Sequence, residues 1–240
     1  TGSTGDGHRM ARELGIEVTP LRASLVPIVL KDNTAPLMGL SLKNVKLSLF
    51  LGDKTVHTEQ GEMLFTHFGV SGPLVLSASA HLCPMEPKRY ELSIDLKPAL
   101  DEKTLDARLL SDFAKYHNKD FANSLGDLLP QKMIEVVVAR SGIDPHKKVN
   151  SITAEERREL IALLKGFSMP LQGFRPIDEA IVTKGGVNVG EIKPASMESR
   201  IVSGLYFAGE VLDVDAYTGG FNLQIAFSTG HLAGESAATD

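Results

Sequence analysis

The run Gly204-Leu-Tyr-Phe-Ala-Gly-Glu210 constrains this chain more than any other. Four apolar residues between glycines, Leu205 to Ala208, have the pattern of a short strand covered on both faces, as in a parallel sheet. Glu210 stands where that strand ends, and open α/β sheets bind ligands outside the carboxyl ends of their strands. Further on, Thr218-Gly219-Gly220 precedes Phe221-Asn222-Leu223-Gln224, and the glycine pair opens a helix. The first N–H groups of a helix lack intrahelical partners, and with the helix dipole they favour an electron-rich or anionic atom. Gly209 lets a ligand approach the backbone, and Glu210 offers it a carboxylate. The stretch reads as half of a nucleotide-cofactor site.

The rest of the chain excludes several function classes. Its net charge is −5 and its acids and bases are mixed along the sequence. A nucleic-acid binder usually carries a basic stripe, so no nucleic-acid partner is expected. No apolar run is long enough to span a bilayer and no basic-then-apolar leader is visible, so no membrane partner is expected. One cysteine, Cys83, allows no internal disulfide, which suits a cytoplasmic protein, and it reads as a small structural residue. The seven histidines show no metal-ligand spacing with one another or with Cys83, so no metal is expected.

Taken in order, the chain opens on a glycine-rich loop, Thr1 to Gly7, followed by a short helix from His8 to Leu14 that Gly15 closes. Such a loop normally follows a strand, so the reading favoured over a terminal tail is a piece of a longer protein that begins inside a loop-to-helix unit. From Ile16 to Leu96 short strands dominate: Leu25 to Leu30 with Pro27 at an edge or bulge, Val45 to Leu51 ending at Gly52-Asp53, Gly61 to Thr66, and Tyr90 to Leu96. They predict a small antiparallel barrel or sandwich. A helix is expected over Leu74 to Leu82. Residues 101–167 read as a helical bundle, with Asp101 as an N-cap, Pro130 at a first helical position and a Thr153…Glu156 capping box. Glu179 to Lys184 and Val187 to Ile192 read as a hairpin turned at Gly185-Gly186. In the last helix, Gly230 and Gly234 predict close packing on a sheet.

Phe65-Thr-His-Phe-Gly-Val-Ser-Gly-Pro73 has some likeness to a hydrolase nucleophile elbow, but position 73 is proline where that motif needs glycine. Ser71 and His67 therefore read first as loop residues.

Three segments together carry a resemblance: Thr1 to Gly7, Phe65 to Pro73, and Met197-Glu-Ser-Arg200 through Gly204–Glu210 to Thr218–Gln224. On these the chain resembles, over its full length, the BaiN-type or YhiN-like family of NAD(P)/FAD-dependent oxidoreductases. The resemblance implies an α/β fold with an insert: a partial Rossmann-like FAD-binding domain (1–20 and 193–240) interrupted by a β-barrel (21–100 and 168–192) and a helical bundle (101–167). It implies that Gly209 and Glu210 face the ribitol and phosphate region of FAD. Thr218, Gly219, Gly220, Phe221, Asn222 and Leu223 would then lie near the isoalloxazine ring. The family's N-terminal Gly-x-Gly-x-x-Gly unit, which grips the ADP half of FAD, has no counterpart here. Weak or absent FAD binding is expected of this chain by itself.

The function expected on this basis is an FAD-dependent oxidoreductase with a small-molecule substrate and NAD(P)H as a candidate donor. His67 is the candidate proton donor. The competing expectation is a non-catalytic interaction module of a flavoprotein.

Overall fold

The computed structural model describes residues 3–82 and 89–239, so Cys83 lies outside the described residues. These residues form two compact units, one from 28–173 and one from 1–27 with 174–240.

The first unit is a closed six-stranded barrel with helices. Its strands, with two others of the chain, are numbered in chain order: β1 (Arg22–Ser24), β2 (Ile28–Leu30), β3 (Ser41–Leu51), β4 (Lys54–Phe65), β5 (Gly69–Ser71), β6 (Tyr90–Asp95), β7 (Phe167–Phe174) and β8 (Val182–Lys184). The barrel order is β2-β5-β4-β3-β6-β7. Closure removes the unpaired edges that an open sheet would present. β3 is its longest-paired member, running antiparallel to both β4 and β6. The alternation expected along β3 is present, with Leu42, Val45, Leu47 and Leu49 buried. The β3–β4 turn falls at Gly52, whose φ of 58° needs no Cβ to be accommodated.

β5 has no counterpart among the expected strands. It lies inside Phe65–Pro73, pairing Val70 with Ile28 and with Phe65, and Ser71 with Leu64. A Cβ on Gly69 would sit 2.2 Å from the Ile28 carbonyl oxygen, so glycine there permits the strands to close. Three residues are too few to show a period, and the segment looked like a loop for that reason. Ser71 is thus the last ladder residue of β5, one residue before the Gly72 N-cap of the next helix. The helix that follows, α2 (Pro73–Ser79), is shorter than expected. Leu25–Leu30 divides at Pro27, and β1 pairs not with the barrel but with β8.

The bundle helices are α3 (Glu102–Lys115), α4 (Gln131–Arg140) and α5 (Ala154–Lys165). The Asp101 side chain accepts from the Thr104 N–H, and both halves of the Thr153/Glu156 capping box form. Pro130 caps α4 instead of occupying its first turn.

The second unit joins α1 (Asp6–Glu13) and α6 (Phe221–Thr239) to a core of Ala11, Ile16, Val187, Ile192, Met197, Phe207, Leu212 and Ala233. Three expectations need correction here. No 179–192 hairpin forms: 177–179 and 189–191 are 3-10 turns, and β8 runs antiparallel to β1. Gly185-Gly186 is instead a crossing of backbones. A Cβ on Gly185 would lie 2.3 Å from the Pro20 oxygen, and one on Gly186 2.6 Å from the Val211 oxygen. Leu205–Ala208 is extended but is not a strand of a parallel sheet. Its backbone bonds run to 197–199, with Phe207 N–H donating to Met197 and Ser199 N–H to Leu205. A strand of a parallel sheet needs a ladder to at least one parallel neighbour, and the segment forms only an isolated antiparallel bridge, Glu198 to Tyr206. Finally, Gly230 and Gly234 meet nothing within 4 Å, because α6 docks through Ala233 while Phe227 is 68% exposed.

The crossing makes a sharp prediction. Gly186→Ala is expected to destabilise the 174–240 unit by about 3 kcal/mol or more, since backbone rather than a side chain would have to move. Gly126→Ala, with open space around it, is the neutral control. Denaturant melts of the two variants check this.

Candidate functional site

Within the unit formed by 1–27 and 174–240, a cavity of about 440 Å³ is lined by Ser3, Thr4, Gly5, Gly7, His8, Leu21, Ile177, Asp178, Ala180, Ile181, Thr183, Glu210 and Val211. Its size is within the range of small-molecule sites. One wall is the glycine-rich loop and the first turn of α1. Gly5 precedes the helix at φ 76°, and no side chain caps that terminus. The first α1 N–H groups are therefore free of both intrahelical and side-chain acceptors. Gly7 packs closely: a Cβ there would lie 3.0 Å from Val211 Cγ2, which would have to shift by a few tenths of an ångström. Among the described residues the Nε2 atom of His8 is buried without a hydrogen-bond partner, an orphaned polar atom in the cavity wall.

The opposite wall carries Glu210, in the 3-10 turn Gly209–Val211. Glu210 Oε1 accepts from the Thr183 N–H at 2.7 Å, which fixes the carboxylate at the cavity edge. Gly209 takes φ 72°, donates its N–H to Thr229 Oγ1 at 2.9 Å, and would bring a Cβ within 3.6 Å of Ala226. That distance is ordinary contact, so the positive φ rather than crowding is what favours glycine there.

Thr218–Leu223 is not among the residues lining this cavity. Gly219 and Gly220 have φ 110° and 91°, and α6 begins at Phe221 as the glycine pair suggested. Asn222 folds back on the preceding loop, accepting from the Ala216 N–H at 2.9 Å and donating to the Ala216 oxygen at 2.8 Å. Phe221 and Leu223 are exposed. The structure therefore brings Glu210 together with the Ser3–Gly7 loop and sets 218–223 at a separate, exposed helix start. His67 belongs to the 28–173 unit, exposed on the loop after β4 with its ring edge-on to Phe68 at 5.0 Å.

Residues that sequence reasoning passed over complete the cavity: His8, Asp178, Ile181 and Thr183. Only His8 carried a signal, its place in the first turn after a glycine-rich loop. The acids of the Asp213-Val-Asp215 segment hold the fold: Asp213 accepts from Thr19 Oγ1 at 2.9 Å and Asp215 from Ser24 Oγ at 2.8 Å.

The turn leading into Leu205 depends on Glu198. This largely buried carboxylate accepts from Lys193 Nζ at 2.5 Å and from the Gly204 N–H at 3.0 Å. The Lys193 hydrogen bond, then that from Gly204, holds its pKa below the ordinary 4.5. A depressed folded-state pKa contributes stability present above about pH 4.5 and lost as pH falls through the folded value. Glu198→Gln is expected to lower Tm at pH 7, and the difference from the parent should shrink in thermal melts below pH 4.5.

Residues 22–182 match a family model described as the HI0933-like protein barrel and H2TH domain. The chain is 30% identical over 239 residues to a 3-dehydro-bile acid delta(4,6)-reductase of Clostridium scindens, covering 99% of this chain and 58% of that protein. It is 33% identical over 233 residues to a ribosomal RNA dihydrouridine synthase of Escherichia coli, covering 95% and 55%. A protein of the same name from Haemophilus influenzae is 33% identical over 232 residues, covering 96% and 55%. The chain thus spans a little over half the length of these relatives.

Proposed function

This chain belongs to the HI0933-like, BaiN/YhiN-type family of flavoprotein oxidoreductases, and on that premise we propose that it serves an FAD-dependent reductase of a carbon–carbon double bond conjugated to a carbonyl. The observation that carries the proposal is the cavity that joins an uncapped helix start to Glu210. The residues present fit part of a dinucleotide. The α1 N–H groups suit a phosphate oxygen, and the Glu210 carboxylate and orphaned His8 Nε2 suit hydroxyl and N–H groups. Residues 218–223 offer a second, separate helix N-terminus. When bound, FAD would supply the hydride, and the protein's part is to orient it and tune its charge.

The bond class comes from chemistry shared by the relatives' names. A 3-dehydro Δ4,6 steroid is a conjugated dienone, and making dihydrouridine saturates a ring bond of uracil that is conjugated to a carbonyl. In both cases addition of hydride must be matched by a proton at the neighbouring carbon. His67 is our candidate for delivering that proton.

We take the substrate to be a small conjugated ketone, since acidic and basic residues of 28–173 balance and form no basic stripe. The second reading is a uridine in RNA, favoured by the two dihydrouridine synthase relatives. A non-catalytic docking role is the remaining alternative.

The test uses a chain extended to the relatives' length beside the 240-residue chain. Stoichiometric flavin absorbance is expected in the former and weak or no absorbance in the latter. Anaerobic NADH or NADPH should bleach the flavin, and a 3-oxo-4,6-diene steroid should restore its colour where uridine-containing ribosomal RNA does not. The reverse selectivity supports the RNA reading, and no bleaching by either nicotinamide would leave only the docking role. Glu210→Gln should weaken FAD retention roughly tenfold, the scale of one hydrogen bond to a charged group. His67→Gln should lower turnover by about a hundredfold with flavin content unchanged.

A further inference from the structure

The barrel unit contains a cavity that shares no lining residue with the Glu210 cavity. It measures about 380 Å³ and lies between Ser41–Val45 of β3 and the segment Leu96–Leu100, with Leu129, Pro130 and Met133 completing it. Its origin is a local failure of the sheet. In the β3–β4 ladder Leu42 pairs with Met63 and Val45 with Gly61, so Lys43 and Asn44 together oppose Glu62 alone, a β-bulge. The β3–β6 ladder ends at Lys46 and Asp95. Ser41–Val45 therefore runs past the end of β6, and the chain after Asp95 turns aside, with Leu96 N–H donating to the Leu164 oxygen. Bulges often stand beside binding sites because they re-aim side chains.

The chemistry of this opening is uneven. Buried Leu42, Val45, Leu96, Leu129 and Met133 give it an apolar body. The charged residues lining it are both cationic, Lys43 and Lys97. Asp95, the carboxylate nearest in sequence to Lys97, is taken by Lys165 at 2.6 Å. Lys165 also donates to the carbonyl oxygens of Lys97 and Leu100, at 3.1 and 2.6 Å. Asp101 accepts from the Thr104 N–H, and Arg108 pairs with Asp112. Among the described residues no carboxylate reaches the Lys97 ammonium, which is left half-buried without a counter-charge. Burial, with Arg108 adding repulsion, holds its pKa below the ordinary 10.5. An anion placed there would reverse both effects.

We propose that this cavity at the β3 bulge binds an amphiphilic organic anion, an aliphatic carboxylate whose head meets Lys97 and whose hydrocarbon body packs on Leu42, Leu129 and the partly exposed Leu100. The occupant follows from the combination of groups. A bare inorganic anion would leave the apolar body unused, and a neutral lipid would leave Lys97 unpaired. The site is separate from the Glu210 cavity and stands whether or not the flavin proposal does.

Calorimetric titration of the 240-residue chain with octanoate, 1-octanol and acetate tests it. Octanoate should bind, with 1-octanol and acetate each at least about tenfold weaker. Lys97→Gln should weaken octanoate about tenfold and leave 1-octanol unchanged, whereas Leu100→Ala should weaken both. Lys97 makes no side-chain bond in the fold and its charge is disfavoured there, so its loss should leave Tm unchanged or slightly raised. A Lys97 amine resonance that titrates at higher pH with octanoate bound is an independent readout. The proposal is overturned if octanoate fails to bind, if it binds no better than 1-octanol, or if Lys97→Gln binds it as well as the parent.

Discussion

Much of the 1–27 and 174–240 unit depends on a crossing of backbones at Gly185-Gly186. Thr19 N–H donates to the Gly186 oxygen at 2.8 Å, and Gly186 N–H returns a bond to Thr19 Oγ1 at 3.0 Å. One residue later, Val187 N–H donates to Val211 and Asp213 N–H to Val187, at 2.8 and 2.9 Å. Three segments far apart in sequence are thus tied within a few ångströms, at a spacing that excludes a Cβ. The crossing sets Glu210 at the edge of the cavity, because Val211 on its other side is bonded into it. It also explains why two ends of the chain, 146 residues apart in their nearest parts by the 28–173 barrel unit between them, form one core.

The barrel reaches stability by a different route. Its backbone groups are absorbed by a closed cycle of antiparallel ladders, with β3 as the strand shared by the two longest. The single place where β3 lacks its β6 neighbour is also where the Lys97 cavity opens. In the other unit, outside the short β1–β8 pair, isolated bridges and 3-10 turns take the place of ladders. α6 illustrates the consequence: Ala233 is buried in the core while Phe221, Leu223 and Phe227 remain exposed.

Local chemistry was legible wherever it acted within a few residues. Asp101, the Thr153/Glu156 capping box, the Gly52 turn and the alternation of β3 each follow from side chains reaching their own neighbourhood. Gly219-Gly220 likewise opened the helix it was expected to open. What misled was the same residue type serving a distant partner. Gly185-Gly186 has the composition of a hairpin turn, but its lack of Cβ atoms serves contact with Pro20 and Val211. Leu205–Ala208 has the apolar content of a buried strand, but strand character needs neighbouring backbones, and apolar content says nothing of where those lie.

By itself the sequence determined the family, the barrel-and-helix insert, the helix boundaries set by caps, and Glu210 and the Thr1–Gly7 loop as residues of interest. The family and its insert came from the resemblance carried by three motifs, while the helix boundaries rest on φ preference and capping geometry, which act within a turn or two of the chain. Only the tertiary structure decided that Glu210 and the Ser3–Gly7 loop share one cavity with His8 and Thr183, and that 218–223 does not line it. It alone decided that Lys97 stands beside an apolar cavity with no counter-charge among the described residues. Both are matters of long-range packing: Lys165 claims Asp95 from seventy residues away, and a local pattern carries no record of which of two lysines a carboxylate will choose.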